Sequence, residues 1–302
     1  MPSLSNNGCS VNIGLTIQIL LGGLGIGIIY SLVGMGYSMI YRSMGLINFA
    51  HGSIFMIGAY MGLVFYVTLK FPFPIAFCLG VLSTAAIGFF LERILRPLSR
   101  IDLMFMLIGT LALGIVFDNL ALIIWGAEGL QFPAPLGEKP VSLGNIMIEP
   151  QTILIFIIAP LIMVFLQVFM SRSKTGKAMR AAAQDRETAG AMGIPLNRMN
   201  ALTLAIGSAM AAVAGILAAP IFLVSTNMGW SVAIKGFAAA ILGGFGNPIG
   251  AVIGGLIFGI IEAASAFFIS STYKYTISFA VTIAVLMFKP MGIFGEPTIE
   301  KM

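Results

Sequence analysis

Apolar and polar residues follow one another along this chain in long blocks. Most of the apolar blocks reach 17 residues or more, and a helix needs roughly 20 residues to cross about 30 Å of hydrocarbon. The pattern therefore predicts membrane-spanning helices. The predicted blocks are residues 13–41, 49–69, 75–91, 103–125, 151–170, 201–224, 236–245, 249–269 and 276–288.

Two of these blocks are short, so the number of crossings depends on how they are interpreted. Residues 236–245 are too few to cross alone; they form a re-entrant half-helix, or the helix extends back through Trp230 and crosses. The last block crosses more comfortably if it extends back to Tyr273. We predict an all-α polytopic membrane protein, a bundle of about eight or nine transmembrane helices forming one domain over residues 1–302.

Composition and charge support this fold class and set its orientation. Charged residues make up 9% of the chain, whereas soluble domains have about a quarter. Lys and Arg are retained on the cytoplasmic side of membrane proteins. With the N-terminus outside and nine crossings, every arginine lies inside. The basic residues left outside are Lys70, Lys139, Lys235 and Lys274.

Residues 171–199 form a basic segment between two apolar blocks, with six Lys or Arg residues against Asp185 and Glu187. The alanines before Gln184 favour a helix from Lys177. Asp185 is a typical N-cap for a second helix, which ends at residues 190–193 before Pro195. An apolar side for docking is expected from Met179, Ala182, Ala183, Met192 and Ile194. The alternative is an amphipathic surface loop held by anionic lipid.

Several kinds of chemistry are not indicated by this sequence. A phosphate-binding loop of the form GxxxxGK[ST] is missing: residues 171–178 lack the first glycine and have Ala178 where Ser or Thr would bind magnesium. His51 is the only histidine, and Cys9 and Cys78 suggest neither a disulfide nor a metal site. The net charge of +5 is explained by topology rather than by nucleic-acid binding. We expect no catalysis, metal or cofactor in this chain.

Four stretches carry a family resemblance: LINFAHGSIFMIGAY (46–60), GKAMRAAAQDRETAGAMGI (176–194), FAAAILGGFGNPIGAVIGGLIFGIIEA (237–263) and KPMGIFG (289–295). In this order, and over nearly the whole chain, they resemble the LivH-type permeases of branched-chain amino acid ABC importers. The resemblance implies a multi-pass protein of the bacterial or archaeal plasma (inner) membrane. It would translocate leucine, isoleucine or valine delivered by a substrate-binding protein from outside.

The resemblance also implies partners and a role for the basic segment. A second, LivM-like permease and two ABC ATPase subunits, which bind ATP and magnesium, would complete the transporter within the lipid bilayer. The basic segment would be the cytoplasmic coupling segment that docks on an ATPase. The coupling candidates are Lys177, Arg180, Ala182, Ala183, Asp185, Glu187, Met192 and Gly193. Arg180 departs from the general ABC permease signature, which has glutamate there.

A few residues in or beside the apolar blocks are candidates for the translocation pathway or for locking the fold. Asn48 and His51 either cap a helix start or contact substrate. Gly244, Gly246 and Asn247 belong to a broken helix beside the pathway or to a tight cytoplasmic turn.

Two charged residues of the apolar blocks raise separate questions. Glu262 lies well inside its block, where ionisation costs about 2.5–3.5 kcal/mol; it pairs across the bundle, lines the pathway, or is protonated and hydrogen-bonded. Lys235 is expected to anchor at the outer interface.

Two other classes of function remain open at this point. One is an ABC permease of the same broad family that carries urea or a short-chain amide. The other is an ion-coupled secondary amino-acid transporter, which would need several acidic residues in its membrane spans. Glycine pairs spaced by four residues, such as Gly23 with Gly27 and Gly255 with Gly259, predict closely packed helices in any of these classes.

Overall fold

The computed structural model describes residues 13–98, 102–137, 139–143 and 146–295, most of which are helical. Predictions about Cys9, the N-terminus and the end of the C-terminal tail lie outside these ranges. The helices are α1 (Ile13–Met44), α2 (His51–Leu63), α3 (Phe73–Leu95), α4 (Leu103–Trp125), α5 (Pro150–Arg172), α6 (Lys174–Gln184), α7 (Arg186–Ala191), α8 (Leu196–Ala218), α9 (Met228–Gly243), α10 (Pro248–Phe268) and α11 (Lys274–Phe288).

The long loop between α4 and α5 contains two short strands, β1 (Val141–Leu143) and β2 (Ile146–Ile148). They pair antiparallel, with Val141 opposite Ile148. The bundle itself is helical, as predicted, and this hairpin of two three-residue strands is confined to the loop.

In the described part of the chain, seven helices are long and apolar enough to cross a membrane. They are α1, α3, α4, α5, α8, α10, and α2 with the π-helical turn Val64–Thr68 that continues it. The prediction of a polytopic helical membrane protein is confirmed. α9 and α11 are apolar but have 16 and 15 residues, and 16 residues of helix span about 24 Å. A total of eight or nine crossings stays a prediction.

α9 begins earlier, and α8 ends earlier, than the sequence predicts. α9 begins at Met228, so the predicted extension of this helix back through Trp230 is confirmed, while its crossing of the membrane stays a prediction. α8 ends at Ala218 rather than at residue 224. The backbone of Val224 is instead paired with Leu130 of the loop between α4 and α5, by two N–H···O bonds of 2.9 and 3.0 Å. Because these bonds satisfy the backbone of a fully buried residue, the chain can leave the helix there.

α1 is the central helix, and it packs against α10, α9 and α8. Residues 27–40 of α1 are all buried. α10 runs antiparallel to α1 at a distance that glycine makes possible. A Cβ atom at Gly27 would lie 2.9 Å from the carbonyl oxygen of Gly255, and a Cβ at Gly259 would collide with the Cα of Gly27. The close packing predicted from the glycine spacing is confirmed for this pair of helices.

α8 is the second buried helix, and it packs against α3, α2 and α1. Small residues again line the contacts: Gly58 of α2 lies against Ala212, and Gly88 of α3 lies against Ser208. By contrast, α3, α4 and α5 expose large apolar side chains, including Phe90, Ile123 and Phe165. Such faces are stable in hydrocarbon, which agrees with a bundle whose centre is α1 and α8 and whose outer helices face lipid.

Several helix ends meet at one end of the bundle. The segment after α11 returns to the end of α9, where Ile293 and Phe294 donate backbone hydrogen bonds to Leu242 and Gly243 at 2.9 and 3.0 Å. The aromatic ring of Tyr41, near the end of α1, packs on Phe245 with ring centroids 4.5 Å apart. The ends of α1, α9 and α11 therefore lie together with the start of α10.

Candidate functional site

Side-chain caps define the helices of the basic segment. The hydroxyl of Ser173 accepts a hydrogen bond from the Gly176 backbone at 2.9 Å and begins α6. Asp185 accepts from the Thr188 backbone at 3.0 Å and begins α7, so its predicted role as an N-cap is confirmed. The segment is thus two capped helices rather than a loose linker.

The capped helices are seated tightly on the bundle. A Cβ at Gly176 would lie 2.6 Å from the backbone of Phe169 and Met170, so α6 lies directly on the end of α5. Met179 and Ala182 are buried against this chain's own helices, with exposed fractions of 1% and 3%. The prediction that they belong to a side available for docking is wrong, because the bundle itself covers that side.

The other coupling candidates form the outer side of the segment. Met192 is 80% exposed, in the turn that follows α7. Gly193, beside it, has a φ of +84°, which favours glycine. Ala183 and Ile194 are half-buried. The four charged candidates are exposed: Lys177, Arg180, Asp185 and Glu187. An exposed apolar side chain among charges, held on rigid capped helices, is suited to contact with another protein.

The glycine-rich segment after α9 forms a turn at the end of the bundle. Gly244 and Gly246 have φ values of +111° and +89°, which explains the need for glycine. The side chain of Asn247 caps α10 by accepting from Ile249 and Gly250, and it donates to the Phe294 carbonyl at 3.1 Å. Of the two predicted alternatives, the geometry fits the tight turn.

Asn48 and His51 are completely buried at the start of α2. Asn48 accepts from the Ala50 backbone at 3.1 Å, and its carbonyl accepts from the His51 backbone at 3.1 Å. The His51 ring packs on Tyr37 of α1, with centroids 4.4 Å apart. Its two nitrogens make no hydrogen bond of good geometry within the described residues, although the Val33 backbone lies nearby. The arrangement fits the fold-locking alternative.

A buried ion pair joins α9 to α10 near the start of α11. Lys235 of α9 donates to Glu262 of α10 at 3.2 Å, and the hydroxyl of Tyr30 from α1 donates to the same carboxylate at 2.9 Å. Lys235 also donates to the Tyr30 hydroxyl at 3.1 Å. Lys274, at the start of α11, lies 4.0 Å from Glu262 and is partly exposed. Glu262 therefore pairs across the bundle, as one of its three predicted alternatives required.

The expectation that Lys235 anchors at the outer interface is wrong. Lys235 is 7% exposed and lies inside α9. Its ammonium group is also 3.9 Å from the centre of the Tyr275 ring. A buried charge needs an opposite charge and hydrogen bonds, and here it has both. The sequence signal that was missed is a single lysine and a single glutamate in neighbouring apolar blocks.

A bundle of apolar helices packed through glycine, with a capped basic segment at one end, defines a multi-pass helical membrane protein. No group of three His, Cys, Asp or Glu residues suited to a metal occurs in the part of the chain that the structure describes. A family model described as "Branched-chain amino acid transport system / permease component" matches residues 19–286, and the chain belongs to this family. It is a multi-pass protein of the plasma (inner) membrane.

Two relatives match nearly the full chain, and a third matches about half of it. The protein is 36% identical to the high-affinity branched-chain amino acid transport system permease protein BraD of Pseudomonas aeruginosa, over 95% of this chain and 98% of BraD. It is 35% identical to the permease protein LivH of Escherichia coli K12, over 95% of this chain and 97% of LivH. A probable LivM permease of Methanocaldococcus jannaschii is 27% identical over 48% of this chain and 46% of that protein.

Proposed function

We propose that this chain is a permease subunit of an ATP-driven importer, and that it translocates leucine, isoleucine or valine delivered by a substrate-binding protein. The observation that carries the proposal is the full-length similarity to BraD and LivH, whose names specify branched-chain amino acid transport. A zwitterion with an apolar side chain suits a path through helices rich in small and apolar residues. The urea and amide alternative is not favoured, since these relatives are amino-acid permeases.

An ion-coupled secondary transporter is also not favoured. Such a protein needs acidic groups in its spans that are free to bind an ion. Among the acids of the described spans, Glu92 pairs with Arg96 at 2.6 Å and Glu262 with Lys235 at 3.2 Å, while the half-buried Asp118 of α4 interacts with Ser53. Energy from ATP therefore fits this chain better than energy from an ion gradient. ATP and magnesium would be bound by partner ATPase subunits, and this chain would not be an enzyme.

The basic segment is the proposed contact for an ATPase. Its outer side presents Met192 with Lys177 and Arg180, and its inner side is seated on α5. Because the seat is tight, movement of an ATPase would be transmitted to the bundle rather than absorbed by a flexible loop. The complete transporter would contain two such ATPases and a LivM-like second permease.

Reversing charge on the outer side of the basic segment tests the coupling surface. In the variant Lys177→Glu/Arg180→Glu/Met192→Ala, we expect co-purification of the ATPase to fall at least about tenfold, because rim charges and a central apolar contact are lost together. The control is Arg198→Glu, an exposed charge in the first turn of α8. Retention of the complex by the triple variant, with normal thermal stability of the permease, would contradict the coupling role.

For orientation, we propose that the N-terminus is outside and that the chain crosses nine times. The common position of the ends of α1, α9 and α11 supports this topology, since each would then end inside. It also places the basic segment and every arginine in the cytoplasm, in agreement with the retention of positive charge.

Cysteine labelling in whole cells tests the orientation. In a background with Cys9 and Cys78 replaced, a cysteine at Met192 should be labelled by a membrane-impermeant maleimide only after the cells are permeabilised. A cysteine at Leu136, which is 59% exposed in the opposite loop, should be labelled in intact cells. The reverse pattern would overturn the whole topology, and failure here would leave the similarity to BraD and LivH untouched.

A further inference from the structure

A polar crevice opens where α1 ends and the basic segment lies on the bundle. It consists of two adjoining cavities of about 420 and 140 Å³ that share Arg42, Ser43, Ala183 and Asn247 in their walls. The wider cavity also contacts Arg186 of α7. The narrower one reaches inward between α1, α5 and the start of α10. We call these two cavities the arginine crevice.

The charge around the arginine crevice is one-sided. Arg42 comes from α1, Arg180 from α6 and Arg186 from α7, and no described lining residue is Asp or Glu. Arg180 donates to the Ser171 carbonyl at 3.1 Å and Arg186 reaches the Asn200 side chain at 3.5 Å. Both acceptors are neutral, and within the described ranges no ion pair joins these arginines to a carboxylate.

The start of α10 adds to the positive potential. Asn247 and Pro248 form part of the wall. The Ile249 and Gly250 amides already donate to Asn247, so α10 contributes the partial positive charge of its N-terminal end rather than free donors. Arg42 and Arg186 line the same cavity beside this helix end, and guanidinium groups form paired hydrogen bonds with phosphate oxygens. The crevice is therefore suited to a phosphate-bearing ligand.

The deep part of the arginine crevice has a different character. Its walls there include the apolar side chains of Met35 and Met39 from α1 and of Leu166 and Met170 from α5. A soluble phosphate would make no use of such walls. A ligand with a phosphate at one end and a hydrocarbon chain at the other would fill both parts, because methionine side chains adapt to irregular apolar ligands.

We propose that the arginine crevice binds an anionic phospholipid of the inner leaflet, with the phosphate at Arg42 and Arg186 and an acyl chain along the methionine wall. Anionic lipids are concentrated on the cytoplasmic surface, where the basic segment is placed by charge. Arg42 belongs to α1 and Arg186 to α7, so one bound phosphate ties α7 to the end of α1. The lipid thereby fixes the seat of the basic segment.

Lipid binding to the purified full-length chain in neutral detergent tests this site. Phosphatidylglycerol should bind, detected by native mass spectrometry, and phosphatidylcholine should bind much more weakly. Arg42→Gln and Arg186→Gln should each reduce phosphatidylglycerol affinity about tenfold, the usual effect of losing one charged hydrogen bond. The matched control is Arg172→Gln, an exposed arginine that does not line the crevice; its affinity should not change.

Folding of the variants is checked by their melting temperatures without lipid, and phosphatidylglycerol should raise the melting temperature of the unaltered chain more than that of Arg186→Gln. Equal affinity loss in Arg172→Gln, or no preference for phosphatidylglycerol, would overturn the proposal. Displacement of the lipid by an equal concentration of inorganic phosphate would assign the site to a soluble anion instead. Lipid binding that disappears in the assembled transporter would assign the crevice to the ATPase, and would equally overturn it.

Discussion

Replacing Glu262 with glutamine should lower the free energy of unfolding by about 3–5 kcal/mol, because Lys235 would remain buried without an opposite charge. Lys235 and Glu262 have side chains only 8% and 7% exposed, and their charged atoms lie 3.2 Å apart. The Tyr30 hydroxyl completes the pair from a third helix. Glutamine keeps the size of the side chain and removes only the charge. A denaturant titration in mixed micelles measures the change.

Further variants separate the charge from the shape of this site. Lys235→Met alone should also destabilise, since it leaves Glu262 with only the more distant Lys274 at 4.0 Å. The double variant Lys235→Met/Glu262→Leu should recover most of the lost stability, because replacing both members of a buried pair with apolar residues is often neutral or stabilising. Lys274→Met is the matched control; its side chain is 32% exposed, and we expect a change below about 1 kcal/mol.

Amino-acid uptake by the same variants distinguishes a structural pair from a pathway pair. If the ion pair only ties α9 to α10, the double variant should transport normally once its stability is restored. A stable double variant without uptake would show that the charges act in translocation. A fully stable Glu262→Gln would contradict the structural role, since it would mean that Lys235 tolerates the loss of its partner.

The apolar helices could be predicted from the sequence, whereas the ion pair between Lys235 and Glu262 could not. The long apolar blocks are sufficient to predict the membrane helices α1, α3, α4 and α5. In hydrocarbon a helix satisfies all its backbone hydrogen bonds internally, and apolar side chains are the ones that are stable there. α9 was misplaced because Lys235 interrupts its apolar run and looks like an end. Its partner lies on another helix, 27 positions along the chain. Pairing isolated opposite charges in neighbouring blocks would have placed both residues inside.

The local helical structure of the basic segment can be predicted from sequence, but its packing on the bundle cannot. Asp185 is recognisable as an N-cap, and Ser173 has the same preference but was overlooked. Helical spacing identifies an apolar side containing Met179 and Ala182, yet it cannot say whether a partner or the chain's own bundle covers that side. The return of residues 293 and 294 to α9 was not predictable at all, since it depends on backbone hydrogen bonds.

Replacing Gly27 with leucine should destabilise the bundle by about 3 kcal/mol or more, the upper end of the usual cost of overpacking. Even a Cβ at Gly27 would lie 2.9 Å from the Gly255 carbonyl oxygen and 3.1 Å from the Cα of Leu256. Both are backbone atoms of α10, which cannot rotate aside as a side chain could. α1 and α10 must therefore move apart. This leaves voids between two helices whose native contact is too close to hold any other group.

Gly22 provides the control within the same helix. No atom lies within 4 Å of a Cβ built there, and the residue is exposed. Gly22→Leu removes the same helix-disfavouring glycine and adds the same side chain, so it should leave stability unchanged or raise it by up to about 1 kcal/mol. Comparing the two melting temperatures cancels the intrinsic effect of leucine on helix formation. The remaining difference between the two positions is the steric contact with α10 at Gly27. Similar melting temperatures for both variants would therefore show that α1 and α10 do not meet at Gly27.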